Sequence, residues 1–201
     1  MPWSDDARVM VHPFRAYAAL ALSEEHAPGS ARRALALRVA LILVVLGGFV
    51  SLTAAGRLVA FHVASTMVFW SFIPAVQAAV FAVVLRIASP QGYRPGLVPA
   101  LSLYFTGHGP WMLFLLALAG VCLAAPDVYA TMTWLLGHGV LPALLLATIA
   151  WSGVLTFACF RAGLGLSRRR AALATAGFYA GFSGVIVSYY LAMNEIQPLV
   201  S

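Results

Sequence analysis

The sequence predicts an all-α fold, a polytopic membrane helical bundle of five transmembrane helices with a short N-terminal interfacial helix. Three observations carry this prediction. Hydrophobic residues make up 62% of the chain, against the ~45–50% usual for soluble domains, while charged residues make up only 9%. The stretch from Ala34 to Met193 holds about five apolar runs, each near the ~20 residues that cross a hydrocarbon core. The charges gather between these runs. That pattern excludes a soluble catalytic domain and leaves one compact membrane domain.

The chain divides into a cytoplasmic N-terminal segment (1–33), the five-span domain (34–193) and a C-terminal tail (194–201). The first segment is polar at both ends, from Asp5, Asp6 and Arg8 to Glu24, Glu25 and His26. No basic start leads directly into an apolar core, so no cleaved signal peptide is expected. Pro13 suits the first turn of a short helix reaching about Leu22 and carrying Phe14, Tyr17 and Leu20. An interfacial helix on the cytoplasmic surface and a plain tether both satisfy that pattern.

Ser30 is the expected N-cap of the first span, about Arg32 to Ala55, with Arg32, Arg33 and Arg38 marking its entry side. After the short turn Ala55-Gly56-Arg57, the second run extends from Leu58 to Ile87 and is interrupted by Pro74. Ser89 to Gly96 is rich in turn residues and leads to the third run, Leu97 to Ala125. Pro126-Asp127 turns the chain into a fourth run from Val128 to Phe160, and the fifth span covers Ala171 to Met193. An alternative has four spans, with one long run lying re-entrant.

Orientation follows from the basic residues, all twelve of which are Arg. Eleven fall on the side of the N-terminus and only Arg57 on the other. The positive-inside rule therefore places the N-terminus in the cytoplasm and the C-terminus outside. The same distribution reads the net charge of +6 as membrane orientation, so no nucleic-acid partner is expected. Absence of Lys beside many Ala and Gly suits a GC-rich bacterial genome, hence a bacterial inner membrane. Cys122 and Cys159 fall near opposite ends of their spans and should not pair.

No Asp, Glu or Lys lies within the five apolar cores, which argues against an ion-coupled transporter. Neither a Gly-Lys-Ser/Thr phosphate loop nor a His-Glu-x-x-His zinc helix occurs, so no catalytic and no metal residue is nominated. The candidates for chemistry are the repeated tripeptides Gly107-His108-Gly109 and Gly137-His138-Gly139, followed by Pro110 and Pro142. Each His has an aromatic residue one turn earlier on its own face, Tyr104 and Trp134. Flanking glycines admit a ligand or a neighbouring backbone, and a nearby proline frees a carbonyl. One reading is a cofactor or ligand pocket built on His108, His138, Tyr104 and Trp134. The other is that each imidazole bonds to a neighbouring helix while the glycines relieve crowding. At 1.5 Å rise per residue the histidines differ in depth by ~10 Å, which suits them poorly as axial partners of one haem.

Trp70 and Gln77, seven residues apart around Pro74, share a face that could hold a buried hydrogen bond, line a lipid-sized groove or simply pack a kink. Gly177, Gly181, Gly184 and Ser188 form a small-residue stripe expected to face other helices. The Arg168-Arg169-Arg170 run reads as a topology determinant that could also attract anionic lipid head groups.

The five clustered spans, the N-terminal segment opening with Pro13-Phe14, and the short loops resemble the Ypt-interacting-protein (Yip) family across about residues 11 to 193. The family's acidic-Leu-Tyr-Gly-Pro stretch is matched by Leu103-Tyr104 and Gly109-Pro110, without the acidic residue. In eukaryotic members the resemblance implies helper roles in membrane traffic and binding of small GTPases; no site is carried over from it.

The leading expectation is a non-enzymatic accessory or scaffold subunit of a bacterial inner-membrane complex, in contact with membrane lipids and other membrane subunits. The competing class is a membrane small-molecule binding protein, holding a lipid, quinone, haem or pigment near the Gly-His-Gly breaks. An intramembrane enzyme would need a nucleophile or an acid-base pair that the sequence does not present.

Overall fold

The computed structural model describes residues 2–25, 28–89 and 96–200, and their regular structure is helical. His26 and the expected turn across 90–95 lie outside the described residues. Two short helices come first where one was expected, α1 (Pro2–Val11) and α2 (Pro13–Glu25). Next are α3 (Pro28–Ala55), then α4 (Ala60–Trp70) and α5 (Phe72–Ala88), then α6 (Leu97–Thr106) and α7 (Gly109–Ala124). The chain continues through α8 (Val128–Gly137), α9 (Val140–Ala158), a π-helical turn at Cys159–Gly163, and α10 (Arg168–Val200). Because α3 already includes Pro28, Ser30 lies inside the helix and is not its cap.

Four stretches are long and apolar enough to cross a membrane, Gly29–Ala55, Ala60–Ala88, Val140–Gly163 and Arg168–Tyr189. A fifth exists if α6 and α7, bent by 42°, cross as one broken span; that pair also has the geometry of a re-entrant loop. The protein is an integral membrane helical bundle with four to five candidate spans. The expected fourth run is divided, since α9 with its π turn is long enough alone and α8 is a separate helix, capped by Asp127 Oδ1 accepting from the Ala130 amide at 2.9 Å.

One rule places the helix breaks. Proline has no N–H to give the carbonyl four residues earlier, and its ring crowds that carbonyl. Pro74 frees Trp70, Pro110 frees Thr106 and Pro142 frees His138. The breaks fall at Ser71, at Gly107-His108 and at His138-Gly139. At each one the ladder tightens to an i−3 bond: Ser71 N to Val68 O at 3.3 Å, Gly107 N to Tyr104 O at 3.0 Å, and Gly139 N to Leu136 O at 3.1 Å. Gly139 takes φ +74°, a left-handed conformation that glycine adopts without Cβ strain.

The core gathers where α5, α6, α9 and α10 meet. Phe81 stacks on Phe160 at 5.2 Å and meets Tyr104 at 4.8 Å, and Phe178 closes the cluster against Tyr104 at 5.1 Å. α3 and α4 pack more closely still, with a Cβ built on Gly47 lying 2.8 Å from the Val63 carbonyl oxygen. Only part of the expected small-residue stripe is a packing face. Gly181 lies against Val80, whereas Gly177, Gly184 and Ser188 are exposed. The buried face of α10 is Ala171, Ala174 and Phe178 instead, rotated so that the large Phe178 ring fills the core.

The N-terminal helices do not simply lie on a surface. Val9 and Tyr17 are fully buried, and α2 packs on the π turn, where Gly163 leaves room for the Tyr17 ring. One anchor is electrostatic. Arg38 Nε donates to Asp6 Oδ1 at 3.2 Å, while Nη1 donates to the Ser102 hydroxyl at 2.8 Å and the Ser102 carbonyl at 3.2 Å. Arg38, one of the three arginines expected to mark the entry side of the first span, is buried. A guanidinium at that depth is costly unless paired, and Asp6 from the extension supplies the partner that the spans lack.

Candidate ligand cavity around His108

The break between α6 and α7 projects His108 into the bundle. Its ring is 7% exposed, stacks on Phe105 at 4.8 Å and meets the edge of Tyr104 at 5.0 Å. Nε2 lies 3.3 Å from Gln77 Oε1 and, when it carries the proton, donates to that oxygen. The helix-to-helix bond expected of a packing histidine is thus present, and Gln77 is its partner. Trp70 is not part of this group, since its ring stacks on Phe72 at 6.3 Å.

Beside His108 lies a cavity of about 210 Å³ between α5, α7, α9 and α10. Gln77, Tyr104, His108, Ser152, Thr156 and Tyr179 supply its polar wall, and Trp111, Phe178 and Phe182 its aromatic one. The hydroxyls differ in a way that matters. Thr148 and Thr156 each donate to a carbonyl one turn back, Leu144 at 2.8 Å and Ser152 at 2.9 Å. With its proton committed, Thr156 can only accept from the Tyr179 hydroxyl 3.3 Å away. Ser152, between the two threonines on the same face, is buried and its hydroxyl has no partner among the described residues. A buried hydroxyl left unpaired costs ~1–3 kcal/mol, so this donor is available to whatever enters.

A second cavity of about 200 Å³ adjoins the other side of His108, lined by Asp6, Met10, Arg38 and apolar residues of α3 and α7. Docking of α1 brings Asp6 to a cavity that His108 also lines. Met10 abuts Gly109, and a Cβ on Gly107 would stand 2.6 Å from the Tyr17 hydroxyl. Gly107 thus leaves the room in which the stiff Tyr17 ring of α2 is seated, while the flexible Met10 side chain fills the space beside Gly109.

The other half of the nominated set is placed differently. His138 is exposed, stacks on Trp134 at 4.3 Å and donates from Nδ1 to the Trp134 carbonyl at 2.8 Å. Trp134 is itself 55% exposed. His108 and Tyr104 therefore share a cavity in which His138 and Trp134 take no part. The reason is local: α8 packs mainly on α9, so its side chains face outward. The ring contact of His62 is with Phe61. Among the described residues no group of three or more His, Cys, Asp or Glu could hold a metal ion.

In the sequence, Gln77 pairs by spacing with Trp70, and nothing local links it to His108. Thr148, Ser152 and Thr156 recur every four residues in an otherwise apolar helix, a one-face pattern that is the sequence signal of the polar wall. No family model, curated protein or solved structure matches the chain. What the structure shares with the Yip layout is a helical membrane protein of four to five candidate spans.

Proposed function

We propose that this protein binds an uncharged, lipid-soluble small molecule whose polar headgroup or ring sits in the cavity beside His108. The observation that carries this reading is the buried Ser152 hydroxyl, unpaired among the described residues and lining a cavity otherwise walled by hydrogen-bonding and aromatic side chains. The free donor of Ser152 suits a ligand carrying a hydrogen-bond acceptor. At about 210 Å³ the space is smaller than the ~300–1,000 Å³ of typical drug-sized sites, which suits one ring or headgroup with an apolar remainder in the bilayer. Exposed Ile149 and Ser183 on its rim offer such a lateral way in. A haem fits poorly, being too large and having only one imidazole at this cavity.

The accessory-subunit reading rests on composition and on the Yip-like layout, and no single contact favours it over the cavity. Residence in a bacterial inner membrane with a cytoplasmic N-terminus belongs to the same proposal, supported by the arginine asymmetry. The test is to purify wild type, Ser152→Val and His108→Phe in mild detergent, record absorption spectra and identify organic extracts by mass spectrometry. Wild type should carry a neutral molecule that both variants lose. Ser152→Val should be no less stable than ligand-free wild type, since it removes an unpaired hydroxyl. Identical extracts from all three proteins would sink the proposal.

A further inference from the structure

A separate groove of about 580 Å³ runs between the last turns of α5 and the first turns of α10. Its polar end is formed by Arg170 and Ser89, and its apolar wall by Val84, Ile87, Leu173 and Gly177. Several features of it point one way. Among the described residues the half-buried Ser89 has no partner for its hydroxyl, although a hydroxyl at a helix end ordinarily finds one. Arg170 is exposed and, among the described residues, the ion pair of the protein is elsewhere, between Asp6 and Arg38. Arg168 and Arg169 add charge at the same end, and the N-terminus of α10 contributes its positive dipole.

The groove has a direction. From Arg170 to Gly177 it descends seven residues along α10, ~10 Å at 1.5 Å per residue. Ser89 to Val84 runs alongside on the antiparallel α5, so the polar end lies where these spans meet the membrane surface and the apolar end lies within the acyl region. Ile87 and Leu173 stand exposed on its walls, and Gly177 withholds a side chain that would fill it. An amphiphile with an anionic head and a hydrocarbon tail matches charge, polarity and depth together. We infer that the α5–α10 groove is a binding site for one anionic phospholipid, its phosphate on Arg170 and the Ser89 hydroxyl and one acyl chain beside Gly177. This site is distinct from the His108 cavity and stands or falls independently of it.

The test uses the full chain in nanodiscs of phosphatidylcholine with and without phosphatidylglycerol, reading the melting temperature and, by native mass spectrometry, the lipid retained. Phosphatidylglycerol should raise the melting temperature of wild type and remain bound after mild delipidation. Arg170→Gln should weaken retention about fivefold, the effect expected of one basic side chain at a lipid surface. Gly177→Leu alters no charge, and a Cβ there meets only Val84 at 3.9 Å, so it should fold and lose retention by obstructing the acyl chain. Arg169→Gln, outside the groove lining, should retain lipid better than Arg170→Gln. Equal loss in the two arginine variants with no effect of Gly177→Leu would mean diffuse surface attraction and overturn the site. Protection by inorganic phosphate in place of lipid would overturn the choice of ligand.

Discussion

Replacing Arg38 by Met removes the group that ties α1 to the bundle and leaves the Asp6 carboxyl without its partner. The Arg38 and Asp6 side chains are 7% and 20% exposed, so solvent screens the pair only in part. At 3.2 Å and an effective dielectric of ~20, their attraction is ~5 kcal/mol before desolvation, and desolvation of both groups cancels much of it. The informative quantity is therefore the cost of stranding one charge, ~3 kcal/mol for Arg38→Met at the low end for buried pairs. Asp6→Leu should cost less, ~1 kcal/mol, because Arg38 keeps its two bonds to Ser102 and the desolvation of the carboxylate is relieved. The double variant strands nothing and should cost only ~1 kcal/mol, giving a coupling of ~3 kcal/mol. Thermal unfolding of all four proteins in one detergent, with limited proteolysis of α1 and α2, measures this cycle. Additive single effects, or singles within ~0.5 kcal/mol of wild type, would refute the claim that a buried ion pair anchors the N-terminal helices.

The remaining predictions concern packing, pH and topology. Gly47→Ala should cost ~1–3 kcal/mol, because the atom its Cβ meets is the Val63 backbone oxygen, which no rotamer change can move; Gly48→Ala, whose Cβ would meet Leu58 at an ordinary 3.7 Å, should be tolerated in the same melting assay. Gly107→Ala should push the rigid Tyr17 ring out of its seat and raise the protease sensitivity of α2, while Gly184→Ala, with open space around it, should not. Burial lifts the Asp6 carboxyl above its ordinary range and the Arg38 guanidinium offsets part of that lift. The folded state thus holds the proton more tightly than the unfolded chain, so the Asp6 contribution should become more favourable as pH falls from neutrality through its folded pKa. Asp6→Asn should remove that component from a melting series against pH. Reporter fusions after Asp127 and Ser201 should both report the non-cytoplasmic side if α6 and α7 cross as one span; a cytoplasmic signal after Asp127 would make the bent pair re-entrant.

The apolar runs and the placement of charge between them determined the helical membrane class from sequence alone. A hydrocarbon core demands ~20 apolar residues with internally satisfied backbone, and few other patterns meet that demand. The prolines likewise made distortions near His108 and His138 legible, because the missing N–H acts within one turn. Which side of each helix faces inward could not be read the same way. In a membrane the lipid-facing surface is as apolar as the core, so hydrophobic periodicity does not distinguish Phe178 from Leu173, or a buried His108 from an exposed His138 in an identical tripeptide. Only the tertiary structure decided that Asp6, 32 residues from Arg38, would enter the bundle to pair with it, and that Gln77 and Ser152 would converge on His108. Such contacts join distant segments through geometry and charge, and no local spacing in the chain encodes them.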